Sequence, residues 1–132
     1  NMSIHYAFEN KTTIRNFFKQ LYKILTDNGK VFITFIDSKE LFNNEQGNII
    51  ELSGNSYIKN IENRIEIYYE FRHKEPIIEP KLDYQLVINT FNHYGFELTK
   101  DYSSLFCKEL ENNNWSKILK NTKSLFFTKK NI

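Results

Sequence analysis

Six consecutive residues, Val31-Phe32-Ile33-Thr34-Phe35-Ile36, are almost all apolar and are β-branched or aromatic throughout. A run this short, without polar alternation, predicts a strand covered on both faces, as in a parallel sheet. Ahead of it, Ile14, Phe17, Phe18, Leu21, Ile24 and Leu25 recur every three to four residues and predict an amphipathic helix from about Lys11 to Asp27. Thr12 or Asn10 can cap its start, and Asn28-Gly29 can end it, since glycine accepts the left-handed conformation of a C-cap. A strand end, a helix, a glycine turn and a buried strand make a βαβ unit, which restricts the chain to the α/β class. Asp37-Ser38 then falls just past the C-terminal end of the strand, where open α/β sheets bind ligands.

The remaining elements are less regular. Ser38 can cap a short helix containing Glu40, Leu41 and Phe42. Turn residues Asn43, Asn44, Gly47, Gly54 and Asn55 punctuate the stretch around Ile49-Ile50-Glu51-Leu52. Arg64 to Phe71 alternates and predicts a half-exposed strand, and Pro76 and Pro80 frame a non-helical link. Tyr84, Val87, Ile88, Phe91 and Tyr94 line one face of a second helix, about Lys81 to Tyr94, which Gly95 ends. Phe96-Glu97-Leu98 starts a strand, Asn114-Trp115 to Lys120 reads as a short helix, and Ser124 to Thr128 as a last strand.

At 132 residues, with 40% hydrophobic residues, the chain suits one domain with a real core and is not a disordered segment. The net charge of +2 is too small to imply a strong nucleic-acid field, so any RNA contact is expected in a local pocket and not along a broad basic stripe. Lys117, Lys120, Lys129 and Lys130 could touch RNA phosphates, but they read first as solvated charge. The single cysteine, Cys107, excludes an intramolecular disulfide and fits a reducing intracellular compartment, the cytoplasm before the nucleus. No apolar run approaches the roughly 18–20 residues of a membrane span. The opening Asn1-Met2-Ser3-Ile4-His5-Tyr6 reads as the middle of a strand, which predicts a chain that starts inside a larger protein.

Two separated stretches carry a resemblance. Ser3-Ile4-His5-Tyr6-Ala7-Phe8 resembles the strand-to-helix motif of mRNA cap (guanine-N7) methyltransferases: Gln-Phe, two residues, His-Tyr, one residue, Phe. Asn92-His93-Tyr94-Gly95-Phe96-Glu97-Leu98 resembles a helix end of the poxvirus-type capping enzymes, where a glutamate precedes the helix by the interval that separates Glu79 from Asn92. The turn Asn28-Gly29-Lys30, the strand after it and the ending Phe127-Thr128-Lys129 are also similar, so the likeness runs with gaps across nearly the whole chain. The sequence departs from the pattern in having Asn1-Met2 for Gln-Phe and Thr122 where the family has a tyrosine near the cap. Its four glycines, Gly29, Gly47, Gly54 and Gly95, form no glycine-rich loop for S-adenosyl-L-methionine (AdoMet).

The resemblance implies the C-terminal half of a class I, Rossmann-like, AdoMet-dependent methyltransferase, a mixed sheet flanked by helices, with residues 1–132 as its cap-binding part. The implied reaction is attack of guanine N7 in the GpppN cap on the AdoMet methyl. N7 carries no proton, so no general base is needed and alignment of the two ligands suffices. By the same resemblance His5, Tyr6, Phe71, Glu79 and Ile36 line the guanine pocket, and Asn1, Met2 and Ser3 pass the methionine part of AdoMet. A carboxylate such as Glu79 can accept from guanine N1–H and N2–H₂ together and favours the cationic product.

The implied partners are the capped RNA 5′ end, an upstream methyltransferase segment or chain carrying the AdoMet loop, and a possible stimulatory capping-enzyme subunit. Two further readings stay open. One is a catalytically degenerate methyltransferase-fold subunit that stimulates a capping enzyme; the other is a class I methyltransferase half acting on another substrate.

Overall fold

A computed structural model of the chain describes residues 2–43, 47–103 and 113–130, so Asn1 and Cys107 lie outside the described residues. The chain opens with strand β1 (Met2–Ser3), a 3₁₀ turn (Ile4–Phe8), helix α1 (Lys11–Ile24), strand β2 (Lys30–Ile36) and helix α2 (Ser38–Asn43). Strands β3 (Ile49–Glu51), β4 (Tyr57–Ile61), β5 (Arg64–Tyr68) and β6 (Ile77–Pro80) follow. Helix α3 (Tyr84–His93), strand β7 (Phe96–Asp101), helix α4 (Asn114–Lys120) and strand β8 (Thr122–Lys129) complete it.

Two four-stranded sheets result, ordered β1-β2-β8-β7 and β3-β4-β5-β6. In the first, β1 runs parallel to β2, while β2–β8 and β8–β7 are antiparallel. The expected βαβ unit is therefore present within a mixed sheet. Its burial differs from expectation: Val31, Ile33 and Phe35 are buried, but Phe32, Thr34 and Ile36 are only half-buried. The apolar character of that second face has local reasons. Phe32 meets the Phe126 ring at 4.7 Å, and Ile36 packs into the core under the other sheet.

Helices α1 and α3 cover the fully buried face. Phe18, Phe91, Phe96 and Phe127 are all fully buried, with Phe91 and Phe127 stacked at 4.0 Å and Phe18 edge-on to Phe91. Truncating any of these rings to alanine is worth about 3–5 kcal/mol by transfer and cavity terms. The second sheet is wholly antiparallel and closes its own smaller core, with Ile50, Ile58, Ile65 and Ile67 packed against Leu41 of α2 and Ile118 of α4.

Asn10 caps α1: its carboxamide oxygen accepts from the Thr13 amide (2.9 Å), and its own amide donates to Thr13 Oγ1 (3.0 Å). The helix ends at Ile24, earlier than expected. The left-handed residue beyond it is Asn28 (φ 65°), not Gly29, as asparagine tolerates that conformation. Buried Lys129 closes the end, its ammonium donating to the carbonyls of Tyr22 (2.6 Å) and Leu25 (2.8 Å) 4.1 Å from the Tyr22 ring centre. It is not a solvated charge but satisfies orphan carbonyls at the negative end of a helix. Helix α3 starts at Tyr84, three residues later than expected, because Asp83 caps it by accepting from the Leu86 amide (2.8 Å). Gly95 (φ 91°) follows that helix and lies against the Tyr22 ring, where a Cβ would come within 2.9 Å. No helix among the described residues is long and apolar enough to cross a membrane.

Candidate active site

The 3₁₀ turn after β1 carries His5 to the edge strand β6 of the second sheet. His5 is 7% exposed, and its Nδ1 lies 3.4 Å from Glu79 Oε2 and 3.5 Å from the Pro80 carbonyl oxygen. The tautomer with its proton on Nδ1 donates to both. Pro80 ends β6, where the missing N–H removes nothing from the ladder because the strand lies at the sheet edge.

A cleft of about 310 Å³ opens around this pair, lined by His5, Tyr6, Ile36, Ile67, Tyr69, Arg72, His73, Ile77 and Glu79. That volume is at the lower end of the roughly 300–1,000 Å³ of small-molecule sites. Of the residues singled out by sequence, His5, Tyr6, Ile36 and Glu79 come together here. Ile36 ends β2, and Tyr6, 67% exposed, stands at the rim.

Phe71 does not line the cleft. It is 76% exposed and lies parallel to Tyr69 at 5.8 Å, with Trp115 at 6.0 Å. The aromatic in the cleft wall is Tyr69, which the sequence reading passed over. Ile65 and Ile67 alternate on the inner face of β5, but the strand ends at Tyr68, so the alternation places neither Tyr69 nor Phe71. Arg72, His73, Ile67 and Ile77 were missed as well. The Tyr69 amide donates to His73 Nδ1 (3.0 Å), which leaves the ring proton on Nε2, and the two rings stack at 5.4 Å. Burial pushes the Tyr69 phenol above its ordinary pKa; the Glu79 charge adds to this, and Arg72 offsets part of it.

Asp37 and Ser38, expected at a ligand-binding strand end, are instead tied into the framework. Asp37 Oδ1 accepts from the Glu40 amide (2.8 Å) and Oδ2 from the Tyr84 amide (3.0 Å), so one buried carboxylate serves the first turns of α2 and α3. Ser38 Oγ accepts from the Leu82 amide (3.0 Å) and donates to the Leu82 carbonyl (3.2 Å). These bonds fix the segment between β6 and α3, and with it the approach of Glu79. Thr122 lies opposite Ile36 in register, and its hydroxyl donates to the Ile118 carbonyl (2.7 Å); it is not among the cleft residues.

One further pair spans the same junction. Arg64 of β5 donates from Nη1 to Glu9 Oε2 (2.9 Å) and from Nη2 to Oε1 (2.6 Å), a two-point fork between the second sheet and the end of the 3₁₀ turn. It holds the Glu9 carboxyl below its usual range. At the other end of the chain, β1 pairs Met2 with Ile33 and Ser3 with Thr34.

No family model matches the sequence, and no curated protein does. Solved structures do. The chain is similar to an S-adenosylmethionine-dependent methyltransferase from Clostridium acetobutylicum ATCC 824, at 11% identity and a TM-score of 0.61 over 98% of this chain. It is similar to the CcbJ methyltransferase from Streptomyces caelestis at 10% identity, with the same TM-score and coverage. In both cases it spans 55% of the other protein's length. The chain thus has the α/β fold of the class I AdoMet-dependent methyltransferases.

Proposed function

We propose that this chain is the acceptor-binding part of an AdoMet-dependent methyltransferase, and that the acceptor is the guanine of the GpppN cap, methylated at N7. The observation that carries the reading is the convergence of His5 and Glu79, from two distant stretches, on one cleft walled by Tyr69 and rimmed by Tyr6. The cleft holds what a guanine slot needs: a flat aromatic wall, a carboxylate at the edge and no nucleophile. AdoMet, named for the first of the similar structures, is taken as the methyl donor.

In this reading Glu79 accepts from guanine N1–H and N2–H₂ and favours the cationic product. His5 fixes the carboxylate from behind. The neutral phenol of Tyr69 and the ring of Tyr6 hold the purine plane and exclude water. When bound, AdoMet supplies an electrophilic methyl: the N7 lone pair forms the new C–N bond as the C–S bond breaks, and no proton moves. Each of the four glycines sits in a turn, bend or helix end. The donor's adenosyl half is therefore assigned to a glycine-rich segment on other polypeptide, on the same chain or a separate one. The end of β1, Met2 and Ser3, is proposed to pass near the donor.

The deciding experiment is Glu79→Ala in the full-length protein, assayed for methylation of GpppG-capped RNA. Loss of about 10²-fold or more in kcat/KM is expected, with the melting temperature nearly unchanged, because the carboxylate is held by one long contact. Methylation at the wild-type rate would remove Glu79 from the site.

A further inference from the structure

The near-neutral net charge conceals a segregation of charge. Lys11, Arg15, Lys19 and Lys23 follow one another at four-residue intervals along α1, all exposed, and none forms an ion pair among the described residues. Neither α1 nor α3 contains an acidic residue. Like charges at this spacing repel, and Lys11 sits at the positive end of the helix dipole, so the row costs local stability that no ion pair among the described residues offsets.

The row borders a groove between α1 and α3. One hollow, about 540 Å³, runs past Lys11 and Arg15; a second, about 670 Å³, past Lys19 and Lys130. They share the lining residues His93 and Tyr94, so the two hollows adjoin, and no acidic side chain among the described residues lines either. The shared floor is aromatic: Tyr94, half-buried, stacks on Phe18 at 4.9 Å. A cationic wall over an aromatic floor is the chemistry of single-stranded nucleic-acid tracks, where ammonium and guanidinium groups meet phosphates and rings meet bases. Along the chain, the turn bearing His5 and Tyr6 is separated from α1, which starts at Lys11, by two residues.

Resting on the cap reading, we infer that the α1–α3 groove is the track for the RNA strand that follows the cap, with Lys11, Arg15 and Lys19 on its phosphates. On this inference the RNA contact extends beyond the local pocket, along a row that the net charge of +2 does not reveal.

The test is equilibrium binding of two probes, a short capped single-stranded RNA and the GpppG dinucleotide, to the full-length protein over a range of salt. A Lys11→Gln/Arg15→Gln/Lys19→Gln variant is expected to bind the RNA at least about tenfold more weakly, with a salt slope reduced by about 2, three single-strand contacts at roughly 0.7 each. GpppG affinity should stay unchanged. A control with Lys39, Lys59 and Lys74 changed to Gln, three exposed lysines outside the groove, should bind RNA as wild type does. Unaltered RNA affinity in the groove variant overturns the inference, as does an equal loss in the control or an equal loss for GpppG. If GpppG binds neither protein while the RNA slope still depends on the groove, the cap reading fails and the strand track stands.

Discussion

His5 Nδ1 stands between two acceptors on the same edge strand, Glu79 Oε2 at 3.4 Å and the Pro80 carbonyl at 3.5 Å. The imidazole therefore joins the end of β1 to the end of β6 and closes one side of the cleft. His5→Ala should remove this link and leave both acceptors in a half-buried place without a donor. A loss of about 1–2 kcal/mol in urea unfolding is expected, together with a fall in cap methylation. Glu79→Gln keeps the size and one acceptor, so its unfolding midpoint should match wild type while methylation falls. If the His5 variant unfolds as wild type does, the link contributes nothing.

Asp37 gives a contrasting prediction, because its carboxylate accepts from two helix-start amides outside the cleft. Its two oxygens serve the amides of Glu40 and Tyr84, at the starts of α2 and α3. Asp37→Ala strands both amides, at a cost of about 1–3 kcal/mol from cap loss and desolvation. Asp37→Asn retains one good acceptor and should recover about half of that. A midpoint unchanged in Asp37→Ala would mean that water replaces the carboxylate at both helix starts.

The sequence and the fold agree best where periodicity and burial coincide. The stripe from Ile14 to Leu25 specifies α1 because that face meets the sheet, and Gly95 marks the end of α3 because only a residue without Cβ fits beside Tyr22. Of the second sheet only β5 was legible, from the alternation that begins at Arg64. Its strands are three to five residues long, and its tightest turn carries Glu62 at φ 46°, a residue that gives no turn signal in sequence. The link framed by Pro76 and Pro80 proved to be an edge strand, as prolines allow only there. At the site, His5 and Glu79 were legible through resemblance alone, since nothing in local spacing joins them. Asp37-Ser38 was misplaced for the opposite reason: a polar pair at a strand end suits a ligand and a helix cap equally well, and only the amides of Glu40, Tyr84 and Leu82 decide between them.

Stability should form a plateau between two ionisation limits. Glu9 is lowered by the Arg64 hydrogen bonds. Asp101, although burial pushes its carboxyl up, ends below its usual range through bonds from Ser103 and the Tyr84 hydroxyl and the Lys123 charge. A depressed carboxylate stabilises the fold above its unfolded pKa, near 4, and that contribution disappears as pH falls through the lower folded value. Tyr69 and Tyr84 are raised, chiefly by burial. Their contribution is complete below the ordinary tyrosine value of about 10 and is lost as pH climbs through the folded values. Urea midpoints measured against pH should fall on both sides, and Tyr69→Phe should flatten the alkaline side alone. An alkaline limb identical in Tyr69→Phe would assign it to other groups.

The Arg64–Glu9 fork tests whether the cleft depends on the docking of the two sheets. Glu9 follows the turn that holds His5, and Arg64 pairs with Pro80, the neighbour of Glu79. The fork thus joins the residue after the turn that supplies His5 to β5, the strand paired with the one that supplies Glu79. Both side chains are about one-third exposed, so water and salt screen their attraction and the melting temperature should barely move when it is cut. Positioning is another matter, since a small shift between acceptor and donor is costly to a reaction that works by alignment. Arg64→Lys keeps the charge but loses the two-point geometry, and should lower kcat/KM for GpppG-capped RNA several-fold. Glu9→Gln should do the same, and the double variant should be no worse than either single one, because each already breaks the one connection. Additive losses in the double variant would mean that the two residues act separately, and that the sheets hold their relative position without the fork.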